Sequence, residues 1–111
     1  MLYILNTLMV PVDFNKYPQV TVKMKIISTN EAKQLVSGQN FTSAVGHEGT
    51  AQLLSKLLGI SIPFNRISIY LQPGDKAVHF FLKNRLPEGQ VLNEEELRRL
   101  DFWLVLSEVI K

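Results

Sequence analysis

The pair Gly46-His47 stands directly before an apolar helical pattern in the stretch SAVGHEGTAQLLSKLLG, residues 43–59, and the chain has only two histidines. A helix N-terminus presents unpaired N–H groups and a partial positive charge, which suit a phosphate. Gly46 would let a ligand approach the backbone closely. His47 would hydrogen-bond that phosphate or act as a general acid or base. The other interpretation, a half-exposed histidine that only caps the helix, stays open.

Two arginines bracket a predicted hairpin. The sequence QPGD, residues 72–75, is typical of a tight turn and separates two strand-like segments, residues 66–71 and 76–82. Arg66 opens the first segment and Arg85 follows the second, so a symmetric hairpin would bring both guanidinium groups to one end of the sheet. Together they would clamp a phosphate, because guanidinium donors match phosphate oxygens in pairs. Two separate surface arginines are the alternative.

Glu88 lies just beyond Arg85 in the sequence RLPEG, which breaks the regular pattern and predicts a loop. Its carboxylate would orient Arg85, accept a hydroxyl proton or simply be solvated. Nothing in the local sequence chooses among these three roles.

The second histidine, His79, has the apolar neighbours Val78, Phe80 and Phe81, which predict a structural position inside a sheet. The chain contains no cysteine and no His-x-x-x-His pattern. We therefore expect neither a metal site nor a bound cofactor.

Two patterns near the N-terminus predict strands. Residues 3–10 are almost all apolar, as in a strand covered on both faces. The stretch QVTVKMKII alternates apolar with polar residues, which predicts a strand with one buried face. The residues expected on that face are Val20, Val22, Met24 and Ile26.

Capping signals predict three helices. Capping boxes start one helix over residues 29–37 and another at residue 93. The helix between them runs from residue 47 or 48 to 58 and ends at Gly59. Its inner stripe is Leu53, Leu54, Leu57 and Leu58.

With a final strand over residues 102–110, the predicted order is β-β-α-α-β-β-α-β. Five strands and three helices indicate an α/β or α+β fold, with a mixed five-stranded sheet packed against helices. At 111 residues we expect one domain over residues 1–111.

Composition narrows the function classes. Apolar residues make up 46% and charged residues 20%, and the net charge is only +2, too small for a protein that coats duplex DNA. It suits a small anionic ligand held by a few cations, or a basic surface that serves solubility. The apolar N-terminal run is too short to span a bilayer and lacks a basic leader, so we expect a cytoplasmic protein and no membrane partner.

Four strings together resemble the viral ring nuclease family, the type III anti-CRISPR proteins of viruses and their cellular relatives. They are YILN from Tyr3, the stretch at residues 43–59, IPFNR ending at Arg66, and NRLPEGQVLNEEEL from Asn84. The resemblance covers nearly the whole chain. Met9 and Phe81 depart from the serine and glutamine that are common in that family.

The resemblance implies a homodimer that binds cyclic tetra-adenylate, the second messenger of type III CRISPR defence, and cleaves it without a metal. His47 matches the catalytic histidine, and Arg85 and Glu88 match residues of the loop that covers the ligand. Arg66 matches a basic position near the site, and Asn6 matches an asparagine that faces the ligand at the end of the first strand.

The implied chemistry is attack of a ribose 2′-OH on the neighbouring phosphorus, which yields linear di-adenylate with a 2′,3′-cyclic phosphate. Protonated His47 would donate to the departing 5′-oxygen, and arginine with the helix N-terminus would hold the phosphate.

Three other functions stay open. One is a non-catalytic protein that sequesters the cyclic nucleotide. Another is a dimeric regulatory protein of a mobile element that binds proteins or DNA through Lys23 and Lys25. The third is a metal-dependent nuclease, which the sequence disfavours because it lacks a carboxylate cluster.

Overall fold

A computed structural model describes residues 1–83 and 101–110 of the chain. Strands and helices follow in the order β-β-α-β-α-β-β over the described part. The elements are β1 Leu2–Leu5, β2 Thr21–Ile27, α1 Thr29–Ser37, β3 Phe41–Ala44, α2 Glu48–Leu58, β4 Lys76–Leu82 and β5 Phe102–Ile110.

The five strands form one mixed sheet in the order β2-β5-β4-β1-β3. β1 runs parallel to both of its neighbours, β3 and β4, whereas β5 is antiparallel to β4 and β2. This five-stranded mixed sheet with helices confirms the predicted fold class. Because β1 and β3 are parallel neighbours in the register Leu5↔Ala44, the residues that follow them emerge side by side.

Both helices contribute to one hydrophobic core together with one face of the sheet. The strand residues of this core include Leu2, Ile4, Val78, Phe80 and Leu104, and the helices add Ala32, Val36, Ala51, Leu54 and Leu58. A second, smaller cluster on the other face of the sheet consists of Leu5, Ala44, Leu71, Ala77 and Val109. Neither described helix is long and apolar enough to cross a membrane.

The first two predicted helices are confirmed with their caps. Ser28 Oγ accepts the Glu31 N–H at 3.1 Å, and the Glu31 carboxylate faces the Ser28 N–H at 3.5 Å, which completes the capping box of α1. Gly59 ends α2 with φ of 65°, a left-handed conformation that favours glycine. The predicted third helix, from residue 93, lies outside the described residues.

The predicted hairpin is wrong. Residues 72–75 do form a tight turn, in which the Asp75 N–H donates to the Gln72 carbonyl at 2.9 Å. The segment before it, residues 66–71, is not a strand. It crosses the sheet and packs Leu71 into the second cluster, because both edges of β4 are already paired with β1 and β5.

Three further differences concern strands. β1 ends at Leu5 rather than residue 10, and β3 was not predicted. β2 lies where expected, but Met24 and Ile26 are 46% and 68% exposed instead of buried. The alternating pattern places them on the face that carries Val22, which packs against the second cluster, but Met24 and Ile26 do not belong to that cluster.

Candidate functional site

The carboxyl ends of β1 and β3 bring three of the predicted site residues together. Asn6 follows β1, and Gly46 and His47 follow β3. The Gly46 N–H points to Asn6 Oδ1 at 3.4 Å, which links the two strand ends directly. Ligands of α/β proteins commonly bind in the crevice at the carboxyl ends of parallel strands.

His47 is the N-cap of α2. Its backbone is extended (φ −134°, ψ 119°), and Nδ1 accepts the Thr50 N–H at 3.2 Å. The Thr50 hydroxyl lies 3.1 Å from the same nitrogen. The ring is exposed, and Nε2 has no hydrogen-bond partner among residues 1–83 and 101–110. In the neutral ring Nδ1 therefore caps the helix, whereas a charged ring carries a proton on Nδ1 and loses this acceptor.

The start of α2 offers further donors for an anion. The first N–H groups of a helix have no partner inside it, and His47 satisfies that of Thr50. The N–H groups of Glu48 and Gly49 remain at the positive end of the helix dipole. The exposed Glu48 carboxylate sits in the same turn and partly offsets this positive potential.

Arg66 lies near the end of β3 because the segment before it pairs with that strand, which the sequence did not indicate. The segment that precedes it runs parallel to the end of β3, with the Asn65 N–H donating to the Val45 carbonyl at 2.9 Å. The Asn65 side chain also donates to the Ser43 carbonyl at 2.8 Å, and Ser43 Oγ donates to the Pro63 carbonyl at 2.6 Å.

Arg66 thereby lies against Gly46. A Cβ built on Gly46 would lie 3.4 Å from Arg66 Cγ, so the arginine stem already occupies the side of the glycine where a side chain would project. Arg66 is exposed, and its guanidinium is available to an anion at the end of β3.

Sequence reasoning missed Ser43, Asn65 and Thr50. Each acts through hydrogen bonds to segments distant in sequence or to a neighbouring ring, although all three lie in strings that carry the family resemblance. An Asn directly before the site arginine was the only available signal for Asn65.

Two predicted site residues, Arg85 and Glu88, lie outside the described residues. The geometric reason for pairing Arg66 with Arg85 was the hairpin, and that hairpin does not form. The pairing of the two arginines now depends on the family resemblance alone.

His79 lies inside the sheet, as predicted, and is fully buried. Nδ1 donates to the Thr7 carbonyl at 2.7 Å, and Nε2 lies 2.7 Å from Ser107 Oγ. Burial lowers the pKa of His79, and the hydrogen bond to Thr7 partly opposes this effect. The ring is therefore neutral near pH 7 and ties β5 to the loop that follows Asn6.

Among residues 1–83 and 101–110, no group of three or more His, Asp or Glu side chains is arranged to hold a metal ion. The site contains an imidazole, an arginine, an amide and helix N–H groups, a set suited to binding an anion and moving a proton.

Comparison with known proteins places this fold in a family. The model of the STIV B116-like family, named after Sulfolobus turreted icosahedral virus, matches residues 2–104. Protein 26 of Sulfolobus islandicus filamentous virus (isolate Iceland/Hveragerdi) is 41% identical over 111 residues, 99% of this chain and 92% of that protein. Protein ORF117 of Acidianus two-tailed virus is 40% identical over 104 residues, 91% and 86% of the respective chains.

Among solved structures, B116 of Sulfolobus turreted icosahedral virus superimposes with a TM-score of 0.79 and covers 96% of this chain and 97% of its own. At 21% identity this likeness shows a shared fold. The family match spans nearly the full chain and agrees with the relatives and the architecture. The chain therefore belongs to the STIV B116-like family.

Proposed function

We propose that this protein is a metal-independent ring nuclease that binds cyclic tetra-adenylate and cleaves it to linear di-adenylate with a 2′,3′-cyclic phosphate. It would thereby damp type III CRISPR signalling in the cytoplasm of a host cell. One observation carries the proposal: an exposed His47 stands at the positive end of α2, directly after Gly46, whose N–H faces Asn6 and whose other neighbour is the Arg66 stem.

The site supplies what this cleavage needs most. The 2′-oxygen bonds to phosphorus, the bond from phosphorus to the 5′-oxygen breaks, and the 2′-OH proton passes to water. The 5′-oxygen leaves poorly unless it receives a proton, and charged His47 would donate one from Nε2. Arg66 and the N–H groups of Glu48 and Gly49 would stabilise the charge that builds on the phosphate oxygens.

A homodimer follows from the symmetry of the substrate. A ring of four identical nucleotides has two-fold symmetry, and a two-fold dimer presents each site residue twice. Within the described residues one chain brings a single arginine to the site, too few cations for four phosphates. Two copies of His47 would then act on opposite phosphates, which accounts for di-adenylate as the product. As the family resemblance implies, Arg85 and Glu88 would belong to the loop that covers the ligand, and Arg85 would add a positive charge.

The capping role of His47 favours a second candidate function. Because the hydrogen bond from the Thr50 N–H gives this histidine a structural task, its presence does not require catalysis. A protein that sequesters cyclic tetra-adenylate without cleaving it would use the same cations and helix end.

The test is incubation of the purified protein with cyclic tri-, tetra- and hexa-adenylate in the presence of a chelator, with products separated by mass. We expect cyclic tetra-adenylate to give di-adenylate with a cyclic phosphate. The variant His47→Asn should lose at least about a hundredfold in kcat while binding the ring within a few-fold of wild type. Asparagine is a good N-cap, so this variant keeps the helix start and removes only the proton transfer.

Binding without cleavage by the wild type would favour the sequestering function. Comparable turnover by His47→Asn would rule out His47 as the acid, and no binding of any ring would overturn both functions. Activity restored only by added divalent metal would indicate a metal-dependent nuclease instead.

A further inference from the structure

The surroundings of His47 Nδ1 contain two groups with opposite hydrogen-bonding character, and both belong to Thr50. The backbone N–H lies 3.2 Å from Nδ1 and can only donate. The hydroxyl lies 3.1 Å from Nδ1 and can donate or accept. Thr50 is itself buried, with 7% of its surface exposed, so the hydroxyl is held close to the ring.

The two groups favour different forms of the ring. When Nδ1 accepts the Thr50 N–H, it carries no proton, so a neutral ring has its proton on Nε2. When the ring is charged, Nδ1 carries a proton and opposes the backbone N–H. Among the described residues, only the Thr50 hydroxyl is placed to accept that proton.

We propose that Thr50 is a positioning residue whose hydroxyl accepts the Nδ1 proton of charged His47 and so holds the ring with Nε2–H directed at the ligand. This inference rests on the proposed function for its catalytic consequence, but the contact between Thr50 Oγ1 and His47 Nδ1 is present without substrate. Enzyme histidines commonly depend on a third group that fixes the proton on the nitrogen remote from the chemistry.

The proton balance of a turnover agrees with this role. Charged His47 gives its Nε2 proton to the departing 5′-oxygen and keeps its Nδ1 proton, which stays hydrogen-bonded to Thr50 Oγ1. Nε2 of the neutral ring then takes up a proton from solvent, which balances the proton that the 2′-OH released to water and restores the charged acid. Without the hydroxyl, the Thr50 N–H would favour a neutral ring that carries its proton on Nε2 and none on Nδ1. A neutral imidazole is a poor acid, so this form would slow the cleavage.

The decisive variant is Thr50→Val, which has nearly the same shape, keeps the backbone N–H and removes only the hydroxyl. Thr50→Ser restores the hydroxyl and serves as the matched control. Thr50→Ala removes the hydroxyl with less bulk and replaces the valine variant if that variant does not fold.

The first measurement uses no substrate. At mildly acidic pH, where histidine is charged, ring ¹H–¹⁵N spectra should show the His47 Hδ1 signal in wild type and Thr50→Ser. In Thr50→Val that signal should be lost to exchange with water. The buried Hδ1 of His79, which is bonded to the Thr7 carbonyl, should appear in all proteins and is the internal control.

The second measurement is the kinetics of ring cleavage. Thr50→Val should lower kcat about ten- to a hundredfold with KM within about twofold, and Thr50→Ser should recover most of kcat. An Hδ1 signal that persists in Thr50→Val, or a kcat within about twofold of wild type, would overturn the assignment. If wild type cleaves no ring, the proposed function fails, and the spectra alone decide whether Thr50 positions His47.

Discussion

At the residue scale, the neutral ring of His47 caps α2 because Nδ1 accepts the Thr50 N–H, and the residue is exposed at the start of the helix. The same side chain therefore contributes to stability and, in the proposed function, to proton transfer. A simple His47→Ala variant would remove both contributions. Loss of activity in that variant would not separate an acid from a helix cap.

Unfolding experiments separate the capping role of His47 from its proposed role in proton transfer. We expect His47→Ala to lower the free energy of unfolding by about 1 kcal/mol, because it removes an N-cap acceptor. His47→Asn should stay within a few tenths of 1 kcal/mol of wild type, because asparagine caps equally well. Urea denaturation of the three proteins measures this, and equal stability of the alanine and asparagine variants would contradict the capping role.

At the element scale, α2 positions the site because both of its ends are fixed. His47 caps its start, and its apolar side packs Leu54 and Leu58 into the core. Its end is set by Gly59, which adopts a left-handed conformation with φ of 65°. A shift of this helix would move the Glu48 and Gly49 N–H groups relative to the end of β1.

The C-terminal end of α2 provides the second prediction. Gly59→Ala should destabilise the protein by about 1 kcal/mol, since a Cβ is strained at positive φ. The reason is conformational and not steric, because the nearest atom to the added Cβ is the flexible Lys33 Nζ at 3.7 Å. Gly59→Asn should cost clearly less, because asparagine tolerates this conformation.

Thermal unfolding of both Gly59 variants checks this prediction. Equal losses in the alanine and asparagine variants would indicate that space near Lys33 matters and that backbone conformation does not.

At the scale of the whole molecule, His79 joins segments that are far apart in sequence. Its ring bridges the Thr7 carbonyl and the Ser107 hydroxyl from the middle of the sheet. The hydrogen bond to the Thr7 carbonyl holds the loop directly after Asn6. A buried histidine therefore helps to position Asn6 in the candidate site. Burial of the ring lowers its pKa, which couples the stability of the fold to pH.

The sign of this coupling follows from proton binding. The unfolded chain takes up a proton on this histidine near pH 6.5, whereas the folded protein resists it until lower pH. The contribution of neutral His79 to the free energy of unfolding should therefore be fully present above about pH 6.5. It should decrease as the pH falls toward the lowered pKa of the folded protein. The slope contributed by one proton is at most about 1.4 kcal/mol per pH unit.

Urea denaturation between about pH 7.5 and 5 measures this slope, with His79→Gln as the comparison. The glutamine variant should be less stable at neutral pH but lose less stability on acidification. An unchanged slope in that variant would show that other groups cause the pH dependence.

Local sequence signals determined the two described helices, the edge strand β2 and the last strand. The capping box at Ser28, the apolar stripe that ends at Gly59 and the alternation in β2 each act within one element, so the chain specifies them without tertiary help. The same signals placed His47 at a helix N-terminus.

The tertiary structure decided which elements pair and what surrounds each site residue. Residues 66–71 have the alternation of a strand but pack across the sheet, because β4 pairs with β1 and β5 instead. Arg66 reaches Gly46 through Asn65 and the end of β3, a contact between segments about twenty residues apart. Strand pairing depends on such distant partners, whereas helix caps and periodicity are properties of neighbouring residues. Local sequence therefore specified the helix start that carries His47 and Thr50, and only the folded chain brought Asn6 and Arg66 to it.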